Sequence, residues 1–406
     1  MKHLLFLFPH LRNRKEFGGQ RSRHIISCVS KNNYLSTVII PGMDSMTGIA
    51  KTKFKFWQIW KKKIGMKNSN VIFANSTCND RTSFFRRILY FITTAISVLF
   101  ASIFIRKVDM VISVSLPVTF MIIGYLSSFI RRVPFIIEVR DIGLSVAGEL
   151  NIVKKNWFYK FILKLENYLY KSAHIITVSD GFKKLLIKKG VQEEKIHVVK
   201  LGFDGYEDSL DSSKFLKSKF KNKFVVLYSG TLGHVFNIPL IIDSAKLLKK
   251  YDDILFIFLG GGQNLENFKL ISKKNFLNTM FLGSKPKHVV SEYCKLANVS
   301  LYPAKNGVNI NSMLGNKIFD YLGNGCPCIY SGPGGDVADL INLSGGGLVC
   351  ESSPQKLAKS ILYLYNNRSL RNKMGDSARK FIYSRYKSDI MARKYELVIR
   401  NILKNN

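Results

Sequence analysis

Phe224-Val225-Val226-Leu227-Tyr228-Ser229-Gly230-Thr231-Leu232-Gly233 is an apolar run that breaks into a glycine turn. A short apolar run closed by glycine reads as a strand buried on both faces, the habit of parallel sheets. A helical stretch from Ile238 to Lys249 follows, then a second run, Ile254-Leu255-Phe256-Ile257-Phe258-Leu259, closed by Gly260-Gly261-Gly262. Met280-Phe281-Leu282 and Val299-Ser300-Leu301-Tyr302 continue the series. Strands alternating with helices give βαβ units and a wound parallel sheet.

The same cycle occupies the residues upstream. Leu4 to Phe8 and Ser36 to Ile40 are strands, separated by a polar loop with Gly18-Gly19 and a helix ending near Asn32. Met1 to Pro9 lacks a small-residue cleavage site and reads as a first strand, not a signal peptide. Val108 to Ser113 and Pro134 to Asp141 are further strands. Trp157 to Lys171 reads as a helix with its apolar positions at Phe158, Phe161, Leu165 and Leu169. Ile175 to Ser179 is a strand, Ser179-Asp180 caps the next helix, and Gly190 stops it. His197-Val198-Val199 closes the first array. With 406 residues, one core is too few. The expected architecture is α/β: two Rossmann-like, doubly wound domains facing a cleft. Residues 1–204 form the first, 205–222 the polar linker and 223–385 the second. Residues 386–406 form a C-terminal helix, with a return to the first domain left open.

Lysine and arginine number 62 against 27 acids, a formal net charge of +35. That field implies an anionic partner: nucleic acid, an acidic membrane surface or a phosphorylated substrate. In residues 51–67, seven lysines interleave with Phe54, Phe56, Trp57 and Trp60, which suits an anionic lipid surface or a solvated loop with a few anchors. Residues 88–105 carry no charge and barely reach the length of a membrane span. Four hydroxyl residues dilute them, and a sheet strand follows, so a buried or partly membrane-inserted helix is the better reading. The six cysteines form no Cys-x-x-Cys pair and read as reduced thiols. The histidines form no spaced pair, so no metal site is assigned.

Three glycine turns, Gly18-Gly19, Gly230 to Gly233 and Gly260 to Gly262, can bring backbone close to a phosphate. None matches a dinucleotide fingerprint or a Walker lysine. Together they favour a nucleotide diphosphate. In Asn309 to Ile329, Ile318, Phe319 and Leu322 fall at helical spacing, with Asp320 among them. A carboxylate there binds something, such as a ribose diol, or sits on a solvated face beside Lys317.

The ordered set of turns and strand ends resembles the retaining nucleotide-sugar glycosyltransferases of the GT-B fold, in the bacterial surface-polysaccharide (O-antigen and capsule) branch of group 1. Gly18-Gly19 is similar to that family's N-terminal glycine loop, and Glu138-Val139-Arg140-Asp141 to a strand end of that branch. Val178-Ser179-Asp180-Gly181-Phe182, Lys195 to Val199 with Gly202-Phe203-Asp204, Tyr228 to Gly233, Leu259 to Gly262, Phe281-Leu282-Gly283 and Lys317 to Leu322 follow in the family's order. The resemblance implies that Asp320 is the second acid of a Glu-x7-Glu motif and bonds the donor ribose, while Ser312 stands where the first acid would be. It implies sugar contacts at Asn309 or Asn311 and diphosphate contacts from His234, Lys305 or Lys317. Gly283 would lie near the base, Gly230 near the diphosphate, Gly18 and Gly19 near the diphosphate or the acceptor, and Asp141 on the acceptor side. Asp141 and Lys317 are the expected catalytic pair.

The expected activity is metal-independent transfer of a hexosyl or N-acetylhexosaminyl group from a nucleotide-diphosphate sugar, with no cofactor. The expected acceptor is a polyprenyl-diphosphate-linked saccharide at an anionic membrane surface, on the cytoplasmic face of the inner membrane. No nucleic-acid partner is expected. A GT-B nucleotide-sugar epimerase and a basic nucleic-acid-binding protein are the alternatives.

Overall fold

The computed structural model describes residues 1–11, 20–43, 50–55, 58–64, 68–76, 84–149, 151, 153–205, 215–216, 218–307 and 312–405. The chain forms two compact units: residues 1–14, 18–199 and 391–406, and residues 15–17 and 200–390. Most of the stretch read as a linker lies outside the described residues.

The first unit holds β1 (His3–Leu7), α1 (Gln20–Lys31), β2 (Leu35–Pro41), β3 (Trp60–Ile64), β4 (Ser69–Ala74), α2 (Phe84–Ile103), β5 (Met110–Val114) and α3 (Val118–Arg131). It continues with β6 (Phe135–Val139), α4 (Gly143–Glu149), α5 (Trp157–Lys171), β7 (His174–Thr177), α6 (Asp180–Lys188) and β8 (Ile196–Val198). Its eight strands run β3-β4-β2-β1-β5-β6-β7-β8. Every pairing is parallel except β3 with β4. β1 is central, with Phe6 facing Val38 on one side and Ile112 on the other, and its Leu4, Leu5, Phe6 and Leu7 are wholly buried. The crossovers β4→β5, β5→β6 and β6→β7 all advance the same way. Right-handed connection therefore puts α2, α3 and α5 on one face of the sheet and α1, which runs the opposite way, on the other. Hydrogen bonds between Ser102 and Ser127 (2.7 Å) and between Tyr125 and Tyr168 (3.0 Å) tie that three-helix layer together.

Three details of this unit bear on the sequence reading. The basic-aromatic segment is not a loop: Trp60–Ile64 is an antiparallel edge strand, with Lys61 and Lys62 exposed and Trp60 stacked on Phe104 at 5.3 Å. Lysines on an edge strand discourage further strand pairing. Phe56, Trp57 and Lys67 lie outside the described residues. In α5 the buried residues are Glu166, Leu169 and Tyr170, whereas Phe158 and Phe161 face solvent. Helix α2 rests on the sheet through Tyr90, Thr94, Val98 and Ala101, and no described helix is long and apolar enough to cross a membrane.

The second unit holds β9 (Phe224–Ser229), α7 (Ile238–Leu247), β10 (Ile254–Leu259), α8 (Leu265–Lys274), β11 (Thr279–Phe281), α9 (Lys287–Leu296) and β12 (Val299–Pro303). Then come α10 (Asn316–Gly323), β13 (Cys328–Ser331), α11 (Asp336–Ser344), β14 (Gly347–Cys350), α12 (Pro354–Asn366) and α13 (Arg368–Arg385). Six parallel strands run β11-β10-β9-β12-β13-β14. Helix α14 (Ser388–Lys404) starts in this unit and belongs to the first from Met391 on, where Tyr34 donates to Glu396 and Arg21 stacks on the Tyr395 ring.

Candidate functional site

In the second unit β9, β10 and β11 end side by side, each in glycine. Gly230, Gly260, Gly262 and Gly283 have φ of 151, 142, 153 and 69 degrees, which L side chains rarely adopt. The turns are laced by backbone: Gly230 N–H donates to Leu259 O (2.8 Å), Leu232 N–H to Gly261 O (2.8 Å) and Gly260 N–H to Gly283 O (2.9 Å). A Cβ on Gly260 would stand 1.9 Å from Gly230 O, and one on Gly262 2.4 Å from Leu232 O. These two glycines serve the close approach of neighbouring turns. A Cβ on Gly283 would meet nothing within 4 Å, so its surroundings are open.

Helix α10 packs beside these turns. Ile318, Phe319, Tyr321 and Leu322 are fully buried. The Tyr321 hydroxyl accepts from Ser229 N–H (2.6 Å) and donates to Ser229 O (3.1 Å), which pins the helix to the end of β9. Lys317 stands one turn earlier, its Cδ 3.6 Å from the Cβ position of Gly230. Its Nζ lies over three rings, 3.1 Å from the Phe236 centroid, 4.3 Å from Tyr302 and 4.6 Å from Tyr228. The nitrogen is buried and has no hydrogen-bond partner among the described residues. Burial drives its pKa well below that of an ordinary lysine. Lys317 therefore neither pairs with Asp320 nor sits on a solvated face. Asp320 is bonded through both oxygens to Lys287 at 2.8 and 2.9 Å, with both side chains mostly covered.

In the first unit the end of β6 carries Glu138, fully buried between Arg21 Nε (2.5 Å) and Arg140 Nη2 (2.7 Å). Burial alone would raise its pKa; the two guanidiniums reverse this and hold it below the ordinary value. Arg140 also donates to Ser22, stacks on Phe8 and keeps a buried Nε without an acceptor among the described residues. Its carboxylate partner is thus Glu138, not Asp141. Asp141 keeps accessible surface, yet the surrounding protein desolvates it and pushes its pKa up to about 6 against the pull of Arg140. Ser115 holds the backbone there by donating to Asp141 O at 3.1 Å.

Of the residues singled out in the sequence, Gly230, Gly283, Lys317 and Asp320 come together on one edge of one sheet. His234 is exposed in the turn after Gly230, Lys305 is half-buried after β12, and Ser312 is buried. Gly18, Gly19, Asn309 and Asn311 lie outside the described residues. Sequence reasoning missed Lys287, the Tyr228–Phe236–Tyr302 cage, and the pairing of Glu138 with Arg21. Tyr228 and Tyr302 did carry a signal, since both close apolar runs immediately before a turn.

Residues 211–381, which contain the whole second sheet, match the family of group 1 glycosyl transferases. An uncharacterized glycosyltransferase of Methanocaldococcus jannaschii is 25% identical over 259 residues, 62% of this chain and 64% of that relative. The match thus spans just under two thirds of that relative's length. The capsular polysaccharide biosynthesis glycosyltransferase CapM of Staphylococcus aureus is 25% identical over 305 residues, 70% of this chain and 75% of that protein. Among solved structures, Anabaena HepE in complex with UDP aligns over 99% of this chain and all of its own, with a TM-score of 0.72 and 15% identity. WaaG, a glycosyltransferase involved in lipopolysaccharide biosynthesis, aligns over 97% and 98% with a TM-score of 0.64, also at 15% identity. The two sheets are those of the GT-B fold, and residues 211–381 carry the match to group 1 glycosyl transferases.

Proposed function

We propose that this protein is a retaining, metal-independent glycosyltransferase. In this reading it moves a sugar from a nucleotide diphosphate to a polyprenyl-diphosphate-linked saccharide in surface-polysaccharide synthesis, at the cytoplasmic face of the inner membrane. The observation that carries the donor half is Lys317. Its ammonium is buried beside the Gly230 turn with no hydrogen-bond partner among the described residues. A buried cation in that state is stabilised by an anion placed against it. A departing nucleotide diphosphate develops negative charge on its phosphate oxygens, which a preorganised cation stabilises most in the transition state. Asp320, oriented by Lys287, accepts from the ribose hydroxyls, and Gly283 leaves room for the base. His234, Lys305, Asn309 and Ser312 complete the donor contacts. Gly18, Gly19 and Asp141 serve the acceptor side, where Asp141 takes the acceptor proton.

The capsule and lipopolysaccharide roles in the names of CapM and WaaG support a polysaccharide product, and the HepE complexes with UDP and UDP-glucose support a nucleotide-sugar donor. Thermal melting with a panel of nucleotide sugars tests the donor, since a ligand at a hundred times its Kd stabilises the folded state by about 2.7 kcal/mol. The anomeric configuration of the product, read by NMR, tests retention, and activity in EDTA tests independence of metal. An inverted product, loss of activity in EDTA, or no shift with any nucleotide sugar would each overturn the corresponding part.

A further inference from the structure

The outward side of the α2–α3–α5 layer is apolar where a surface helix is ordinarily polar. On α2 the exposed large apolar residues are Phe85 (81% exposed), Ile88, Leu89, Ile92, Ile96, Phe100 and Ile103, followed by Phe104. Their spacing of three and four residues keeps them on one helix face, a stripe about 27 Å long. On α3, Leu126, Phe129 and Ile130 are exposed; on α5, Trp157 (76% exposed), Phe158, Phe161 and Tyr168. An exposed apolar surface of this extent marks a docking site.

Charge says what docks. Between Ile88 and Ile105 there is no charged residue; Arg86 flanks the start of the stripe beside Phe85, and exposed Arg106 and Lys107 follow it. On and before α5, the exposed residues Lys154, Lys155, Lys160, Lys164 and Lys171 interleave with the aromatics. The three helices carry one carboxylate, Glu166, and it is buried and accepts from the Tyr170 hydroxyl at 2.7 Å. Where α3 and α5 end, a cavity of about 560 Å³ opens, with Phe129, Ile130, Arg132, His174 and Lys195 in its walls. Apolar and aromatic side chains among cations, without exposed acids, match the boundary between acyl chains and anionic headgroups.

We infer that the α2–α3–α5 face docks on an anionic phospholipid bilayer, with α2 lying in the interface and not crossing it. The inference rests on the membrane half of the proposed function and names the surface that performs it. It places the hydrophobic contact on α2 and α5 rather than on the basic-aromatic stretch, whose Trp60–Ile64 part is spent on an edge strand.

The test is flotation of the full chain with phosphatidylglycerol-containing vesicles and with pure phosphatidylcholine vesicles. Wild type floats with the former and stays behind with the latter at physiological salt. The triple variant Leu89→Gln, Ile96→Gln, Phe100→Gln loses flotation while keeping its circular dichroism and melting point, because these side chains are already exposed. The pair Lys160→Gln, Lys164→Gln weakens partitioning by about fivefold per lysine. Nucleotide-induced melting shifts, measured on the same samples, separate this inference from the proposed chemistry. Nucleotide binding without flotation overturns the docking face alone, and flotation without nucleotide binding overturns the donor site alone. Unchanged flotation of the triple variant overturns the inference. So does a wild type that self-associates in light scattering while the triple variant is monomeric, since a second copy would then cover this face.

Discussion

Replacing Lys317 by Met separates what the lysine does for the enzyme from what it does to the fold. Met keeps the length of the side chain and lies among Tyr228, Phe236 and Tyr302 without a charge to desolvate. A buried polar group left unsatisfied costs about 1–3 kcal/mol, more when charged. Stacking over a ring returns up to about 2 kcal/mol when the cation is desolvated. The lowered pKa of Lys317 says that desolvation wins. We therefore expect Lys317→Met to stabilise the protein by about 1–2 kcal/mol, raising Tm by about 2–4 °C for each kcal/mol in a unit of this size. The sign with pH is fixed. Between its lowered pKa and the ordinary 10.5, the unfolded chain holds a proton that the folded chain does not, so wild-type stability rises with pH across that window. The advantage of Met is therefore full at low pH and gone above the ordinary lysine value. Calorimetry of both proteins at several pH values reads this directly, and sugar transfer should fall by about 10²–10³. A Met variant that melts below wild type at low pH, or one that turns over normally, would refute the reasoning.

Asp141 gives the opposite titration. Its folded pKa is raised to about 6 from 3.8, so the folded state binds the proton more readily and this group adds stability as pH falls through that window. Asp141→Asn should flatten the gain between pH 7 and 5, and the acid limb of wild-type activity should fall near pH 6; an unchanged stability profile in the variant counts against the assignment. Gly260→Ala drives a Cβ into Gly230 O and should melt well below Gly283→Ala, whose cost is the left-handed backbone alone, about 1–2 kcal/mol. Equal melting points would show that the turns are not laced as described. Asp320→Asn and Lys287→Met should each abolish the nucleotide-induced melting shift, and a double-mutant cycle on Tm should give a coupling of about 0.5–3 kcal/mol. Additive effects would mean the pair is not formed.

Legibility followed the kind of signal each element leaves. Strands β9, β10 and β12 were plain because all but one residue of β9 and of β12, and every residue of β10, is apolar. Strand β3 was hidden because Lys61, Lys62 and Lys63 read as solvated, and only pairing with β4 makes them a strand. β14 was missed for a similar reason: it is a four-residue edge strand with no fully buried position. The turn glycines and α10 were visible as local patterns. The chemistry of α10 was not, because Lys317 meets rings that are 15, 81 and 89 residues away in sequence, and Asp320 meets Lys287 33 residues away. In α5 the 3.6-residue period reads as helix, but of the apolar positions read from it only Leu169 is fully buried, and Phe158 and Phe161 face solvent.

The formal charge of +35 is a poor measure of what recognises the substrate. Most of those cations are exposed, and at physiological salt their field decays over about 8 Å. The cations that matter for chemistry are few and covered. In the second unit Lys287 cancels Asp320, which leaves Lys317 as an uncancelled charge. In the first unit two guanidiniums face one buried Glu138. Buried charges are screened little, whereas surface charges facing a membrane are screened strongly. The two halves of the function should therefore separate with salt. Raising NaCl from about 0.05 to 0.5 M should release the protein from anionic vesicles while the nucleotide-induced melting shift changes little. If donor binding falls with salt in step with vesicle binding, the surface lysines hold the diphosphate, and the role given to Lys317 is wrong.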